Sequence, residues 1–204
     1  MIVIIDYGMG NLRSVQKAFE RIKVPVMVSS STEDIISADK LVLPGVGNFE
    51  KGMNNLKERS ILGALNEAVL IKKKPILGIC LGMQLMTEFS EEGNCEGLGW
   101  VSANTQKFVL QSDGLKIPHM GWNNLFIKNS DSFYEGVEQD SFFYFVHSYY
   151  VTCKDENNII SETSYGIKFD SSFRKDNVYG CQFHPEKSHD AGLLLLKNFA
   201  LLTN

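Results

Sequence analysis

The feature that most constrains this chain is a set of short, wholly apolar runs separated by amphipathic stretches. "IVII" at 2–5, "LVL" at 41–43 and "PILGI" at 75–79 show no alternation of polar and apolar residues. A strand of that texture is buried on both faces, as in a parallel sheet sandwiched between helices. Between the runs lies helical spacing: "NLRSVQKAFERI" puts Leu12, Val15, Phe19 and Ile22 on one face. "VMVS" at 26–29 reads as another strand, and "STEDIISA" as a short helix capped by Ser31 or Thr32. The region from about 60 to 73 reads as helix again. Strands alternating with helices make βαβ units, whose right-handed crossovers wind helices onto both faces. The expectation is an α/β fold with a doubly wound, mostly parallel central sheet.

The second half has a different texture. From about 97 to 170 the runs are short, aromatic and turn-rich, as in "LGWVSA", "FFYFVHSYYV" and "GIKFDSSF". They predict antiparallel strands appended to the sheet. "NVYGCQF" at 177–183 reads as a last core strand, and "SHDAGLLLLKNFALL" as a closing helix. No repeat, low-complexity segment or linker divides the chain, so residues 1–204 are expected to form a single domain.

Composition narrows the function classes. A net charge of −4 gives no electrostatic case for nucleic acid or an anionic membrane. "KKK" at 72–74 reads as a solvated helix end. No apolar run approaches the ~20 residues that cross a bilayer, and "MIVIIDYG" carries no leader pattern. Cysteines at 80, 95, 153 and 181 show neither CxxC pairing nor metal-type spacing with histidine. "DYGMGN" at 6–11 contains G-x-G after a strand, but Arg13 stands where a dinucleotide fingerprint needs its third glycine. A cytoplasmic chain with free thiols, holding no metal and no cofactor, is expected.

In open α/β sheets reactive groups collect beyond the carboxyl ends of the strands. Three segments fall there. In "PILGICLGMQLM" Cys80 stands between Gly78 and Gly82, the spacing of a nucleophile on a sharp strand-to-helix turn. A helix starting near Leu81 aims its first amides at the sulfur and favours thiolate. The plainer reading is a small buried residue, which is how free cysteines usually behave. "QFHPEKS" puts His184 after an apolar strand and Glu186 two residues on, a base beside a carboxylate able to fix its tautomer. A lone His-Pro-Glu is more often a surface turn. "PGVGN" (44–48) offers backbone amides suited to an oxyanion, or else an ordinary turn.

Taken together these segments resemble the class I, or triad, glutamine amidotransferases, which join a G-x-C-x-G elbow followed by Gln to a downstream His-Pro-Glu. "DYGMGNLRSV", "LPGVGNF", "PHMGWN" (118–123), "YFVHSYY" (144–150) and "QFHPEKS" are similar to the glutaminase subunits of imidazole glycerol phosphate synthases, which supply ammonia to a cyclase in histidine biosynthesis. The resemblance implies that Cys80 attacks the side-chain amide of glutamine, with His184 as base and Glu186 orienting the ring. It puts the oxyanion against Leu81 and the Gly45-Val46-Gly47 loop, and substrate against Gln84, Ser148 and Tyr149. It implies no cofactor and a heterodimer with the cyclase, with Asn11, His119, Trp122, Tyr144 and Lys187 near the partner. Ordinary core packing competes for the aromatics, since Phe142, Tyr144 and Val146 alternate as one face of a strand.

"GLGWVSANTQKF" (97–108) and "SYGIKFDSSFRKDNVYG" have a texture closer to paralogues that supply ammonia for amination of surface-polysaccharide sugars. Acceptor chemistry lies on the partner, so the triad does not separate the two. A non-catalytic binding subunit would be signalled by loss of nucleophile, base or orienter, and all three are present. A stand-alone cysteine hydrolase fits poorly with "GMQ" after the elbow.

Overall fold

The computed structural model describes residues 1–110, 114–128 and 131–202. The first half runs β1 (Ile2–Ile5), α1 (Leu12–Arg21), β2 (Val26–Ser29), α2 (Thr32–Ser37), β3 (Lys40–Gly45), α3 (Phe49–Glu58), α4 (Ile61–Asn66), β4 (Ile76–Cys80) and α5 (Leu81–Leu85). After it come β5 (Phe89–Ser90), β6 (Cys95–Glu96), β7 (Ala103–Lys107), β8 (His119–Asn124) and β9 (Phe126–Ile127). The chain closes through β10 (Phe142–His147), β11 (Tyr149–Cys153), β12 (Ile159–Tyr165), β13 (Ile167–Lys175), β14 (Val178–Cys181) and α6 (His189–Leu201).

Five strands, in the order β2-β1-β3-β4-β14, are parallel and form the heart of the main sheet. Their apolar runs still alternate in where they point. Ile2 and Ile4 enter a core with Val15 and Phe19 of α1 and Leu195 and Phe199 of α6. Val3 and Ile5 enter the opposite core with Ile35 of α2, Leu56 of α3 and Leu65 of α4. The sheet is therefore doubly wound, as its apolar texture requires. Antiparallel β13, β11 and β7 extend it beyond β14, with β12 and β9 branching from β13.

The structure departs from the sequence pattern in three places. The pattern gives no expectation for α3, because Gly52, Asn54 and Asn55 interrupt its apolar face; Asn48 caps it by accepting from the Lys51 N–H at 3.0 Å. The helix after residue 60 widens into a π-helical turn over Glu67–Ile71. "FFYFVHSYYV" is two strands rather than one. Among the described residues β10 pairs only with β8 in a separate two-stranded sheet, β11 joins the main sheet, and the break falls at Ser148.

Strand β4 lies between β3 and β14, so the ends of all three come together: Gly45 is in register with Cys80, and Ile79 with Cys181. This places "PGVG", the cysteine elbow and the His-Pro-Glu turn at one edge of the sheet. The fit of β3 against α5 has no slack. A Cβ on Gly82 would sit 1.7 Å from the carbonyl oxygen of Leu43, which is backbone and has nowhere to go. Gly82→Ala is expected to cost about 4 kcal/mol or more and to lower the melting temperature by about 10 °C or more, or prevent folding. A circular-dichroism melt checks this; an unchanged melt would mean that α5 is not seated on β3 as described.

Candidate active site

At the end of β4 the backbone of Cys80 takes φ +54° and ψ −109°, and Leu81 opens α5 immediately afterwards. Such a backbone in a non-glycine residue costs of order 1–3 kcal/mol and persists only when its surroundings enforce it. Here a side chain on Gly78 would meet the amide of Met83 at 2.7 Å, and Gly82 lies on Leu43. The two glycines are what let the turn close. Cys80 is buried, with Sγ 3.9 Å from the Val146 carbonyl and accepting from Gln182 Nε2 at 3.6 Å.

His184 follows β14 and is fixed by its backbone: its N–H donates to the Tyr144 carbonyl at 2.8 Å, and its own carbonyl accepts from Ser188 Oγ at 2.6 Å. Nδ1 lies 2.8 Å from Glu186 Oε1, with both side chains almost wholly buried. That bond makes Nδ1 the donor and leaves Nε2 for the site. Among the described residues Nε2 has no hydrogen-bond partner, nor does Glu186 Oε2. Burial works against the charged ring, but the negative charge of Cys80 and the bond and charge of Glu186 outweigh it and push His184 up to about 10.

A cavity of about 280 Å³ opens beside the sulfur. Val46 and Gly47 form one wall, Leu81 and Gln84 lie beside Cys80, and Ser148 and Tyr149 line another wall. Gly47 has φ +115°, a conformation open to glycine. The cavity thus gathers all the residues expected to serve as oxyanion donors or substrate contacts except Gly45, which sits behind Val46 at the end of β3. A larger hollow of about 620 Å³ near Lys128, Asp131 and Glu135 contains no cysteine or histidine.

Four participants escaped the sequence. Gln182 accepts from Gln84 at 2.9 Å as well as donating toward Cys80. Strand alternation puts Gln182 on the same side as His184, the one signal that pointed to it. Glu92 brings a carboxylate to the cavity and caps α3 by accepting from the Phe49 N–H at 2.8 Å. The carbonyl of Val146 faces the thiol, and His147 lines the cavity.

His147 also belongs to a polar chain. Its Nδ1–H donates to the Tyr149 carbonyl at 2.7 Å, so its Nε2 accepts from His119 Nδ1 at 2.9 Å, and His119 Nε2 faces Asn123 Nδ2 at 3.4 Å. The same Tyr149 carbonyl accepts from Gln84 Nε2 at 3.1 Å. The chain of contacts therefore runs from Asn123 to the sulfur. Burial lowers His119 to about 4 and His147 to about 3, so both are neutral near pH 7.

His119, expected near a partner, is 2% exposed and stacks on Tyr165 and Phe145. Residues three apart on a strand point to opposite faces, so His119 and Trp122 cannot both look outward. Trp122 does, at 45% exposed, lying flat on His189 with ring centroids 4.7 Å apart and edge-on to Tyr144. Lys187 Nζ lies 5.5 Å from the Tyr144 ring centre, and Met120 and Phe142 are exposed on the same two strands. Asn11, also on the surface, caps α1 by accepting from the Ser14 N–H at 3.2 Å. The face bearing Phe142, Tyr144 and Val146 is the outer one; Phe143, Phe145 and His147 are buried.

The family model for class I glutamine amidotransferases matches residues 3–202. The chain belongs to that family. Relatives share about half of its residues over nearly their full length. "Imidazole glycerol phosphate synthase subunit HisH 1" of Campylobacter jejuni is 53% identical over 99% of this chain and 100% of its own. "Imidazole glycerol phosphate synthase subunit HisH 2" of Methanococcus maripaludis is 50% identical over 98% of each. The similarly named protein of Pseudomonas aeruginosa is 46% identical over 99% of this chain and 100% of its own. Among solved structures, PurLQS from Thermotoga maritima superposes with a TM-score of 0.71 at 17% identity, covering 97% of this chain and 96% of that one. The glutaminase domain of CTPS from Trypanosoma brucei gives 0.62 at 17% identity, covering 100% and 94%. At that identity the likeness is one of fold. Among the described residues no helix is long and apolar enough to cross a membrane, and no cluster suits a metal ion.

The buried histidine pair makes a pH prediction. Both folded-state values lie below the unfolded value of about 6.5, so the unfolded chain takes up protons first as pH falls. Their contribution is whole above about pH 6.5 and is lost progressively toward about 4 for His119 and about 3 for His147. His184 is raised rather than lowered and so has the opposite sign, and carboxylates add their own slope. Comparing urea stability at pH 7 and 5 with that of His147→Asn, which keeps a donor for Tyr149, isolates the pair. The parent is expected to lose more stability than the variant; equal losses would mean the pair is not buried as neutral imidazoles.

Proposed function

We propose that this chain hydrolyses glutamine to glutamate and ammonia, acting as the glutaminase subunit of an imidazole glycerol phosphate synthase. The observation that carries the reading is a cysteine elbow that lines a cavity, beside a buried His184–Glu186 pair whose Nε2 has no partner among the described residues. Cys80 sulfur, whose proton His184 Nε2 already holds, attacks the side-chain amide carbon. The oxyanion rests on the Leu81 amide and one from Gly45–Gly47, each such donor being worth roughly 10²–10³ in rate. When the C–N bond breaks, His184 gives the proton to the departing ammonia. Water then attacks the thioester, His184 takes its proton and returns it to sulfur, and glutamate leaves. Glu186 holds the ring in the tautomer with Nδ1–H.

Gln84, Ser148 and Tyr149 position the amino-acid end of the substrate. Glu92 matches the charge of its ammonium group. Ammonia set free in neutral water would become ammonium and lose its nucleophilicity, so it must pass directly to an acceptor site on a partner, here the cyclase of histidine biosynthesis. The docking face is the outer side of β8 and β10, where Trp122, Tyr144 and Lys187 gather in the manner of an interface core, and Asn11 is proposed as a further partner contact. Through its carbonyl, Tyr144 also holds the His184 backbone.

A second reading keeps the glutaminase and changes the partner to a synthetase that aminates sugars for surface polysaccharides. What keeps it in view is the texture of "GLGWVSANTQKF" (97–108) and of the segment leading into β14.

The deciding experiment is glutamine turnover by this chain mixed with the cyclase from the same source, with and without the cyclase's ligand. Strong ligand-dependent stimulation, abolished by Cys80→Ala, is expected. Absence of any complex or stimulation would move the partner to the sugar pathway, and turnover surviving in Cys80→Ala would overturn the chemistry. Glu186→Gln, which removes the charge but keeps the shape, is expected to lower kcat by about 10²–10⁴ with little change in KM. A kcat within a few-fold of the parent would remove Glu186 from its role.

A further inference from the structure

Tyr7 raises a problem that the proposed reaction leaves unsolved. Its ring is fully buried, and its hydroxyl has no hydrogen-bond partner among the described residues. A buried hydroxyl left unpaired is a standing cost, since folding has stripped it of water and returned nothing. Burial raises the phenol far above its ordinary value, and the charge of Cys80 adds to the effect, so the group remains a donor at any pH where the protein works.

The position of that donor is specific. A Cβ built on Gly45 would lie 2.4 Å from the Tyr7 oxygen and 2.8 Å from Leu81 Cβ. The hydroxyl therefore occupies the space that the missing side chain of Gly45 leaves open, at the head of the Gly45-Val46-Gly47 segment and beside the start of α5. The rest of the Tyr7 loop follows the same segment. A Cβ on Gly10 would be 3.2 Å from the Pro44 carbonyl, and one on Gly47 2.9 Å from Met9 Cε. Two glycines give the segment freedom to turn its peptide groups, whereas Tyr7 is held by the core.

We propose that Tyr7 is a positioning residue: its hydroxyl is an unspent donor that pairs with a backbone carbonyl of the Gly45–Gly47 segment when that segment presents an amide to the oxyanion. In the resting chain the donor has no partner among the described residues. In the working chain the bond would hold the segment's carbonyl inward, and hence the neighbouring N–H toward the cavity. The inference rests on the proposed glutaminase reaction and adds a residue that does not touch substrate.

Tyr7→Phe removes one oxygen and keeps the ring. The test measures the melting temperature of the free chain, then kcat and KM for glutamine with the cyclase and its ligand present. The expected result is an unchanged or higher melting temperature, a kcat lowered about tenfold or more, and a KM within twofold. A merely structural tyrosine would behave in the opposite way, with a lower melting temperature and an unchanged kcat, and that result overturns the proposal. So does an unchanged melting temperature with unchanged kcat, the outcome if water satisfies the hydroxyl in both states. Cys80→Ser, run in parallel, separates this inference from the reading beneath it. If that variant retains turnover the glutaminase reaction itself has failed, whereas a dead Cys80→Ser beside a fully active Tyr7→Phe sinks only the role of Tyr7.

Discussion

The contact between Gly82 and the Leu43 carbonyl is the constraint on which the site depends. Helix α5 can start directly at the end of β4 only if it lies against the neighbouring strand, and it can do so only without a side chain at that point. The close approach fixes Cys80 in its strained backbone and ties the elbow to β3. Since β3 continues into Gly45–Gly47, the sulfur and the amides proposed for the oxyanion are set relative to each other by one packing contact. Long-range order enters through β14, which pairs with the other side of β4 and delivers His184. A register slip on either flank would turn the wrong residues toward the cavity.

Environment decides the roles of the histidines. His119 and His147 are buried among aromatic rings and bonded to neutral groups, so desolvation keeps them uncharged. His184 is equally buried, yet a carboxylate on one side and a sulfur on the other hold it in the charged form. The same imidazole serves as scaffold in one place and, in the proposed reaction, as a proton carrier in the other.

Much of this was readable in the chain because it is local. The G-x-C-x-G spacing expresses a steric demand within five residues, and His184 and Glu186 meet within one turn, so neither needs the tertiary structure to be recognised. The doubly wound sheet followed from apolar runs that only a two-sided burial explains. What escaped was non-local. The bonds of Cys80 to Gln182 and to Val146 span 102 and 66 residues, and no spacing rule reaches that far. The split of "FFYFVHSYYV" was hidden because both strands carry the same aromatic texture, and only their partners differ. The inward turn of His119 was legible in principle, since strand parity opposes it to Trp122, but parity needs the strand boundaries first.

The two-stranded sheet of β8 and β10 has a mechanical meaning. Among the described residues it is paired to no strand of the main sheet, yet its backbone carries the Tyr144 carbonyl that holds His184 and the Val146 carbonyl that faces Cys80. Its outer side carries Trp122 and Tyr144, and its inner side the His119–His147 pair. The ribbon thus touches both ends of the gap between sulfur and imidazole while contributing neither side chain.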